Sequence, residues 1–509
     1  MDKNIISVDI GTQGTKAALF DEELNMLGSS FLPSRLHSPS PGVVWQEPRE
    51  MLDECIGAVR QLVESSGVDP KSVAAMGLDG QMAGIMGIDS AGEASTVYDS
   101  WLDTRCAPQA QRMEEKAGTR VIALSGGPVT FVHGPKILWW KENHPEAYRN
   151  TARFVLPHAY LTGQLCGLSA RESYYDWTHL HFSCLADTKN RQWSGELLNL
   201  FDIDAGKMAR IVSPFDVAGH LTKPMADRCG LLSGIPLAAG CGDTAASTFG
   251  TGMFEPGKLL DIAGTASVLC SVVDQYVPDV AHQTMTMMRS PVDGVFLPLS
   301  YINGGGMCIR WFRNQLTGIP HAGYEELQRE AETLPPGSEG IVFVPHFSGR
   351  VLPSNPAMKG AYLGLNFNHT RAHMYRAVME GIAYEYAYYL SVLKDLYPGV
   401  AFDRMLVVGG GAESTLFNQI KADVLGVRVS TLHTGETALI GSAVIAGVGA
   451  GLLPDYAAPI LSAIRQKEEF AFNETRHRAY LPYRKAYLDA ISRLGFYYGG
   501  NHQRGETPA

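Results

Sequence analysis

An aspartate carried by an apolar strand into a glycine-rich turn, with a second strand directly behind the turn, constrains this chain more than any other feature. Ile5-Ile6-Ser7-Val8-Asp9-Ile10 runs into Gly11-Thr12-Gln13-Gly14-Thr15-Lys16. Glycines let backbone N–H groups approach an anion closely, and the hydroxyls and Lys16 add donors. Lys16-Ala17-Ala18-Leu19-Phe20 is again apolar, Glu22-Glu23-Leu24-Asn25 makes a turn, and Met26 to Leu32 resumes the strand pattern. The reading is strand, turn, strand, turn, strand. A P-loop or a dinucleotide fingerprint needs a helix directly after its glycines, so a different nucleotide-binding architecture is expected.

The 509 residues exceed what one hydrophobic core organises, so two large domains are the default. A net charge of −10 without a block of Lys and Arg argues against a nucleic-acid partner. The eight cysteines form no C-x-x-C pair, which fits reduced thiols. Asp9 interrupts the first apolar run, so no secretory signal is read there. The longest uncharged stretch, Ala438 to Leu453, is shorter than the ~20 residues a membrane span needs and rich in Gly and Ala. It reads as a buried helix, and the protein is expected to be cytoplasmic, with no membrane partner.

Strand-like runs alternate with amphipathic helices, the pattern of layered α/β folds. Leu52, Ile56, Val59, Leu62 and Val63 mark a helix over Met51 to Ser65, and Val73 to Asp79 reads as a buried strand ending at Gly80-Gln81-Met82. The glycine-dense run Gly240-Cys241-Gly242-Asp243-Thr244-Ala245-Ala246 marks a domain boundary. Beyond it, Lys258 to Leu269 repeats the opening motif as strand, Gly264-Thr265 turn and strand. Two such hairpins facing each other could clamp a nucleotide. A third glycine cluster, Gly409-Gly410-Gly411, lies between a buried strand and the helix from Thr415, whose N-terminus offers unpaired N–H groups.

With these motifs in this order, the chain resembles the FGGY family of carbohydrate kinases, within the actin, hexokinase and Hsp70 superfamily, and among its members is most similar to xylulose kinases. The resemblance also runs through Trp101-Leu102-Asp103-Thr104-Arg105, Gly242-Asp243-Thr244, Pro345 to Arg350, Gly360 to Leu365 and Arg376 to Ala383. It implies two actin-like α/β domains around a deep cleft, each with a mixed five-stranded sheet: residues 1–246 for sugar binding and catalysis, 247–490 for nucleotide binding, and 491–509 as a tail. It implies ATP and Mg2+ as cofactors, with Asp243 as general base. Asp9 and Asp243 would serve the metal. Thr12, Gln13 and Lys16, with Gly264 and Thr265 opposite, would hold phosphates, and Gly306, Gly410, Gly411 and Ser414 would border adenosine. Gln81, Met82, Trp101, Asp103, Arg105, Asp243 and Thr244 would receive a sugar or polyol. Family analogy also allows a homodimer.

The departures from the xylulose-kinase pattern concentrate on the same pocket. Ala83 stands where many such enzymes have histidine, Thr244 where most have asparagine, and Leu102 replaces the asparagine of Trp-Asn-Asp. In the second domain Ser348-Gly349-Arg350-Val351 replaces Ser-Gly-Glu-Arg. Lost hydrogen-bonding groups change discrimination among hydroxyls. D-xylulose is the first expectation; another ketopentose, a tetritol or pentitol, a sugar acid, or a non-catalytic nucleotide-binding sugar sensor remain alternatives.

Overall fold

The computed structural model describes residues 3–317 and 323–499. The opening meander forms as the sequence predicts. Strands β1 (Asn4–Ile10), β2 (Gly14–Phe20) and β3 (Met26–Pro33) pair antiparallel in succession. Helix α1 (Pro48–Ser66) has proline in its first turn and the left-handed Gly67 at its end, the usual start and stop signals. Its apolar stripe, Leu52, Ile56, Val59, Leu62 and Val63, is buried. Each such side chain contributes about 2 kcal/mol of transfer free energy before entropy costs.

Strand β4 (Val73–Gly80) lies parallel to β1, which puts Asp9 and Asp79 side by side in register. Further along come β5 (Tyr174–Asp176), β6 (Val217–His220), β7 (Pro236–Ala238) and β8 (Cys241–Gly242). The first sheet runs β6-β7-β4-β1-β2-β3, and β8 also pairs with β4. It has seven strands rather than the expected five. The short strands β6 and β8 carry no apolar run long enough to announce them.

Helix α2 (Asp243–Gly250) follows, and the repeated hairpin is present as β9 (Lys258–Ala263) and β10 (Ser267–Ser271). After β11 (Thr286–Arg289) and β12 (Phe296–Ile302) come helices α3 (Gly305–Leu316) and α4 (Arg371–Leu396), then β13 (Arg404–Val408), α5 (Thr415–Leu425) and β14 (Arg428–Leu432). The uncharged stretch is helix α6 (Thr437–Gly449), followed by β15 (Gln466–Phe470) and α7 (Glu474–Gly499). The second sheet, β11-β12-β10-β9-β13-β14-β15, also has seven strands. Among the described residues no helix is long and apolar enough to cross a membrane.

The boundary expected at 246/247 falls inside α2, and α7 runs through residue 490 without a break. Residues 500–509 of the expected tail lie outside the described residues. The two halves are joined by a common core. Ile5, Ala18 and Phe20 of the first sheet and Leu260, Cys270 and Leu297 of the second share one apolar cluster with Ala246 and Phe249 of α2 and Leu439, Ile440 and Val444 of α6. The two helices cross without clearance: a Cβ on Gly250 would strike the Thr437 carbonyl, and one on Gly441 the Ala246 carbonyl.

Candidate active site

The carboxylates of Asp9, Asp79, Asp243 and Glu436 converge where β1, β4 and the N-termini of α2 and α6 meet. β1 places Asp9 opposite Lys16 on β2 and Asp79 on β4, and Cys241, two residues before Asp243, pairs with Asp79. Asp79 is wholly buried and accepts a hydrogen bond from Ser442 Oγ of α6. Burial and the neighbouring Asp9 push the Asp79 carboxyl well above the usual range, which favours the neutral acid, able to donate a hydrogen bond to Asp9. Burial, Asp243 and Glu436 push Asp9 up to about 6 despite that bond and Lys16. Burial also raises Asp243, although the Thr244 N–H at 2.5 Å, the His179 ring and the Thr244 hydroxyl at 3.2 Å favour its anion.

Among the described residues only Glu436 of these four acids has an ion-pair partner. Lys16, the nearest cation, is ion-paired with Glu436 from the second half. An all-oxygen, strongly anionic donor set is what a small hard divalent cation takes. The carboxylates of Asp9, Asp243 and Glu436 offer the oxygen chemistry that Mg2+ takes, but among the described residues they are not drawn together into a compact ligand cluster. Glu436 and Asp79 are additions to the residues singled out by sequence. Their signals were an acid ending the buried strand Val73 to Asp79 and an acid opening the uncharged helix.

The expected sugar-facing residues are wired to the first turn. Thr12 Oγ1 donates to Gln81 Oε1 at 3.3 Å and accepts from Trp101 Nε1 at 2.9 Å, while Gln81 Nε2 donates to Gln46 at 2.6 Å. The hydroxyl proton of Thr12 is thus committed to Gln81, and Gln13 is exposed. Trp101 stays 43% exposed, open to a ligand face, whereas Met82 packs against Gly242. Asp103 and Arg105 form an internal brace: Arg105 Nε bonds Asp103 at 2.8 Å, Nη2 bonds Asp99 at 2.5 Å, and Asp103 also accepts the Val44 N–H. Lys136, fully buried and unnoticed in the sequence, donates to the carbonyls of Ser100, Asp103 and Phe131 and so fixes the Trp101 loop. Ala83, in the position of the missing histidine, has a left-handed φ of 62°.

The second group gathers at the end of β9. Gly264 and Thr265 are exposed in the hairpin turn, and the Met307 N–H donates to the Thr265 carbonyl at 3.2 Å. Gly306, in the first turn of α3, lies so close to the Gly264 carbonyl that a Cβ would overlap it. Gly411 sits against Ala263, at the end of the same strand, and Gly410 has open space. Ser414 caps α5 by accepting the Phe417 N–H at 3.2 Å and donates to Gln328 at 2.9 Å. The structure thus assembles Gly264, Gly306, Gly410 and Gly411 as bare backbone, with Thr265 in the same turn, beside a helix N-terminus, a surface suited to phosphates and a nucleoside.

Comparison with known proteins matches this two-part design. Residues 4–250 match the FGGY family of carbohydrate kinases, N-terminal domain, and residues 261–450 match its C-terminal domain. The xylulose kinase of Bacillus subtilis (strain 168) is 27% identical over 453 residues, covering 88% of this chain and 89% of that protein. The glycerol kinase of Thermococcus kodakarensis is 27% identical over 507 residues, 97% of each. The crystal structure of gluconate kinase from Lactobacillus acidophilus superposes with a TM-score of 0.91 at 22% identity, covering 98% of this chain and 99% of that one.

Proposed function

The chain belongs to the FGGY family of carbohydrate kinases and is a phosphotransferase, and on that premise we propose that it transfers the γ-phosphoryl group of ATP to a hydroxyl of D-xylulose. The observation that carries the chemistry is Asp243 itself. It stands first in α2, partly exposed, with its carboxyl raised by burial yet held by Thr244. Such a carboxylate accepts the hydroxyl proton as the sugar oxygen bonds to phosphorus and the bond from phosphorus to the ADP oxygen breaks. When bound, Mg2+ supplies charge neutralisation on the phosphate oxygens. Asp9, Asp243 and Glu436 would hold it. Lys16 positions Glu436, and the exposed turn at Gly264 and Thr265, with Gly306 behind it, receives phosphate from the second half. Gln81 and the open face of Trp101 orient the sugar, and the Asp99–Arg105–Asp103 brace holds that wall in place.

D-xylulose is favoured because xylulose kinases are among the most similar relatives. A second reading, another ketopentose, a tetritol or pentitol, or a sugar acid, is favoured by Ala83, which has no hydrogen-bonding side chain, and by Thr244, which offers a hydroxyl in place of an amide. Coupled ADP release with Mg-ATP and a panel of ketopentoses, aldoses, tetritols, pentitols, glycerol and gluconate decides between them. A D-xylulose rate standing far above the panel supports the first reading, and another preferred substrate overturns it. Asp243→Asn is expected to cut kcat by about 10^3-fold with ATP still bound. Equal loss of ATP binding in a calorimetric titration contradicts the role of base.

A further inference from the structure

Behind the catalytic loop lies a buried polar chain that the reaction scheme does not use. Asp176 ends β5 and caps the 3-10 helix Trp177–Phe182. Its Oδ1 accepts the Thr178 backbone N–H at 2.9 Å and also the Thr178 hydroxyl. Having given its proton to Asp176, Thr178 Oγ1 offers only lone pairs, and it accepts the Gly242 N–H at 3.1 Å. Gly242 is the residue immediately before Asp243 and caps α2.

The far side of Asp176 is held as firmly. Oδ2 faces His179 Nδ1 at 2.8 Å and His158 Nε2 at 3.1 Å, and the two rings stack with centroids 5.3 Å apart. Asp176, Thr178, His158 and His179 are all 0% exposed. Burial alone would raise the Asp176 carboxyl, but the His179 and His158 rings hold it well below the usual carboxylate range. The His–Asp–His group is compact enough to suggest an ion. The 2.8 Å contact also has the length of a charge-assisted hydrogen bond, and with Nδ1 carrying the ring proton it holds Asp176 as an anion.

We propose that Asp176 and Thr178 are positioning residues for phosphoryl transfer, fixing the peptide of Gly242 and thereby the place of the Asp243 carboxylate. This rests on Asp243 being the base. The physical reason is the sensitivity of proton abstraction to geometry, since a misplacement of about 1 Å costs on the order of 100-fold. A buried anion cannot drift, so a threonine fastened to it makes a stiff strut.

The test compares Thr178→Val, which keeps shape but removes the hydroxyl and its contacts with Asp176, His179 and Gly242, with Thr178→Ser, which keeps the hydroxyl, and with Asp243→Ala, all in the full-length protein. Thr178→Val is expected to lower kcat about tenfold or more while KM for Mg-ATP and the calorimetric ATP affinity stay within about twofold, and Thr178→Ser is expected to restore kcat. Rates are normalised to the fraction that binds ATP, and Thr178→Ala gives the same reading if the valine variant does not fold. A Thr178→Val kcat within about twofold of the parent, with Asp243→Ala inactive, overturns the strut alone. Joint loss of kcat, ATP affinity and thermal stability overturns it in favour of a purely structural role. Active Asp243→Ala overturns the base reading beneath it. A stoichiometric transition-metal ion in the purified protein, found by elemental analysis and lost in Asp176→Asn, overturns the hydrogen-bonded account.

Discussion

The two halves repeat one device and arm it differently. In the first, β1 delivers Asp9 to the Gly11–Gly14 turn; in the second, β9 delivers Asp261 toward the Gly264–Thr265 turn. Asp261 is 1% exposed and fully answered: Lys421 Nζ of α5 and the Tyr386 hydroxyl of α4 each donate to it at 2.7 Å. Asp9 faces Asp79, Asp243 and Glu436, and Lys16 beside it is already paired with Glu436. The same strand–turn–strand pattern therefore makes an acid crowded by other acids in one place and a structural ion pair in the other. Local sequence builds the hairpin, and the partners brought by distant elements decide what its aspartate does.

The sharpest way to break this comparison is to disarm both aspartates. Asp261→Ala strands the buried Lys421 charge and is expected to cost about 3–5 kcal/mol of unfolding free energy, read by urea titration. A loss under about 1 kcal/mol would mean that the pair is not what holds Asp261. The double replacement Asp261→Leu with Lys421→Met is expected to recover most of that stability, because no charge is left unpaired.

Asp9→Asn is expected to do the reverse. Stability is kept or gained, since a repelled charge leaves an acidic cluster, while kcat falls by about 100-fold and the magnesium requirement rises. An unchanged Mg2+ titration of the variant would sink the metal role. The next effect is on pH. The folded protein holds a proton on Asp9 between 3.8, its ordinary value, and about 6. It therefore binds more protons than the unfolded chain in that window, and this group's contribution to apo stability falls as pH rises through it, the penalty being complete above about 6. Mg2+ must displace that proton, so apparent Mg2+ affinity, followed by calorimetry, is expected to drop as pH falls below about 6. A flat profile from pH 7.5 to 5 would remove Asp9 from the cation site.

The smallest effect separates the two turns. A Cβ on Gly264 meets only the Ala266 carbonyl at an ordinary 3.6 Å, so Gly264→Ala is expected to change stability by less than about 0.5 kcal/mol while weakening ATP binding. At Gly14 a Cβ collides with the Phe31 ring and the Leu32 carbonyl, so Gly14→Ala is expected to lower the melting temperature visibly. Equal melting temperatures for the two variants would contradict this contrast.

Much of the fold was legible because it is written in local periodicity: the opening meander, α1, β4, the repeated hairpin and α6 follow their apolar patterns. The seventh strands were not. β15 reads Gln-Lys-Glu-Glu-Phe, a solvated edge whose pairing with β14 no hydrophobic alternation announces. The site divides in the same way. Asp9, Asp243 and the glycines sit in motifs and could be named from sequence. Asp79, Glu436 and Lys136 act through contacts with residues far away in the chain, such as Ser442 on Asp79 and Lys16 on Glu436, and spacing carries no trace of those. Arg105 and Asp103 were visible together in one short motif, but Asp99, the second carboxylate partner of Arg105, appears only once the loop is folded.

The crossing of α2 and α6 has a mechanical consequence. These helices meet backbone to backbone at Gly250 and Gly441, inside the core that both sheets share. α2 begins with Asp243, and α6 is preceded by Glu436, which reaches Lys16. The helices that serve as axle for the two halves thus also carry the acids at their tips. A turn of one sheet against the other cannot be absorbed by side chains at a junction without slack; it must swing the tips. Any rotation of one half against the other is therefore expected to move Asp243 and Glu436 with it, so that closure and alignment of these acids would be a single motion.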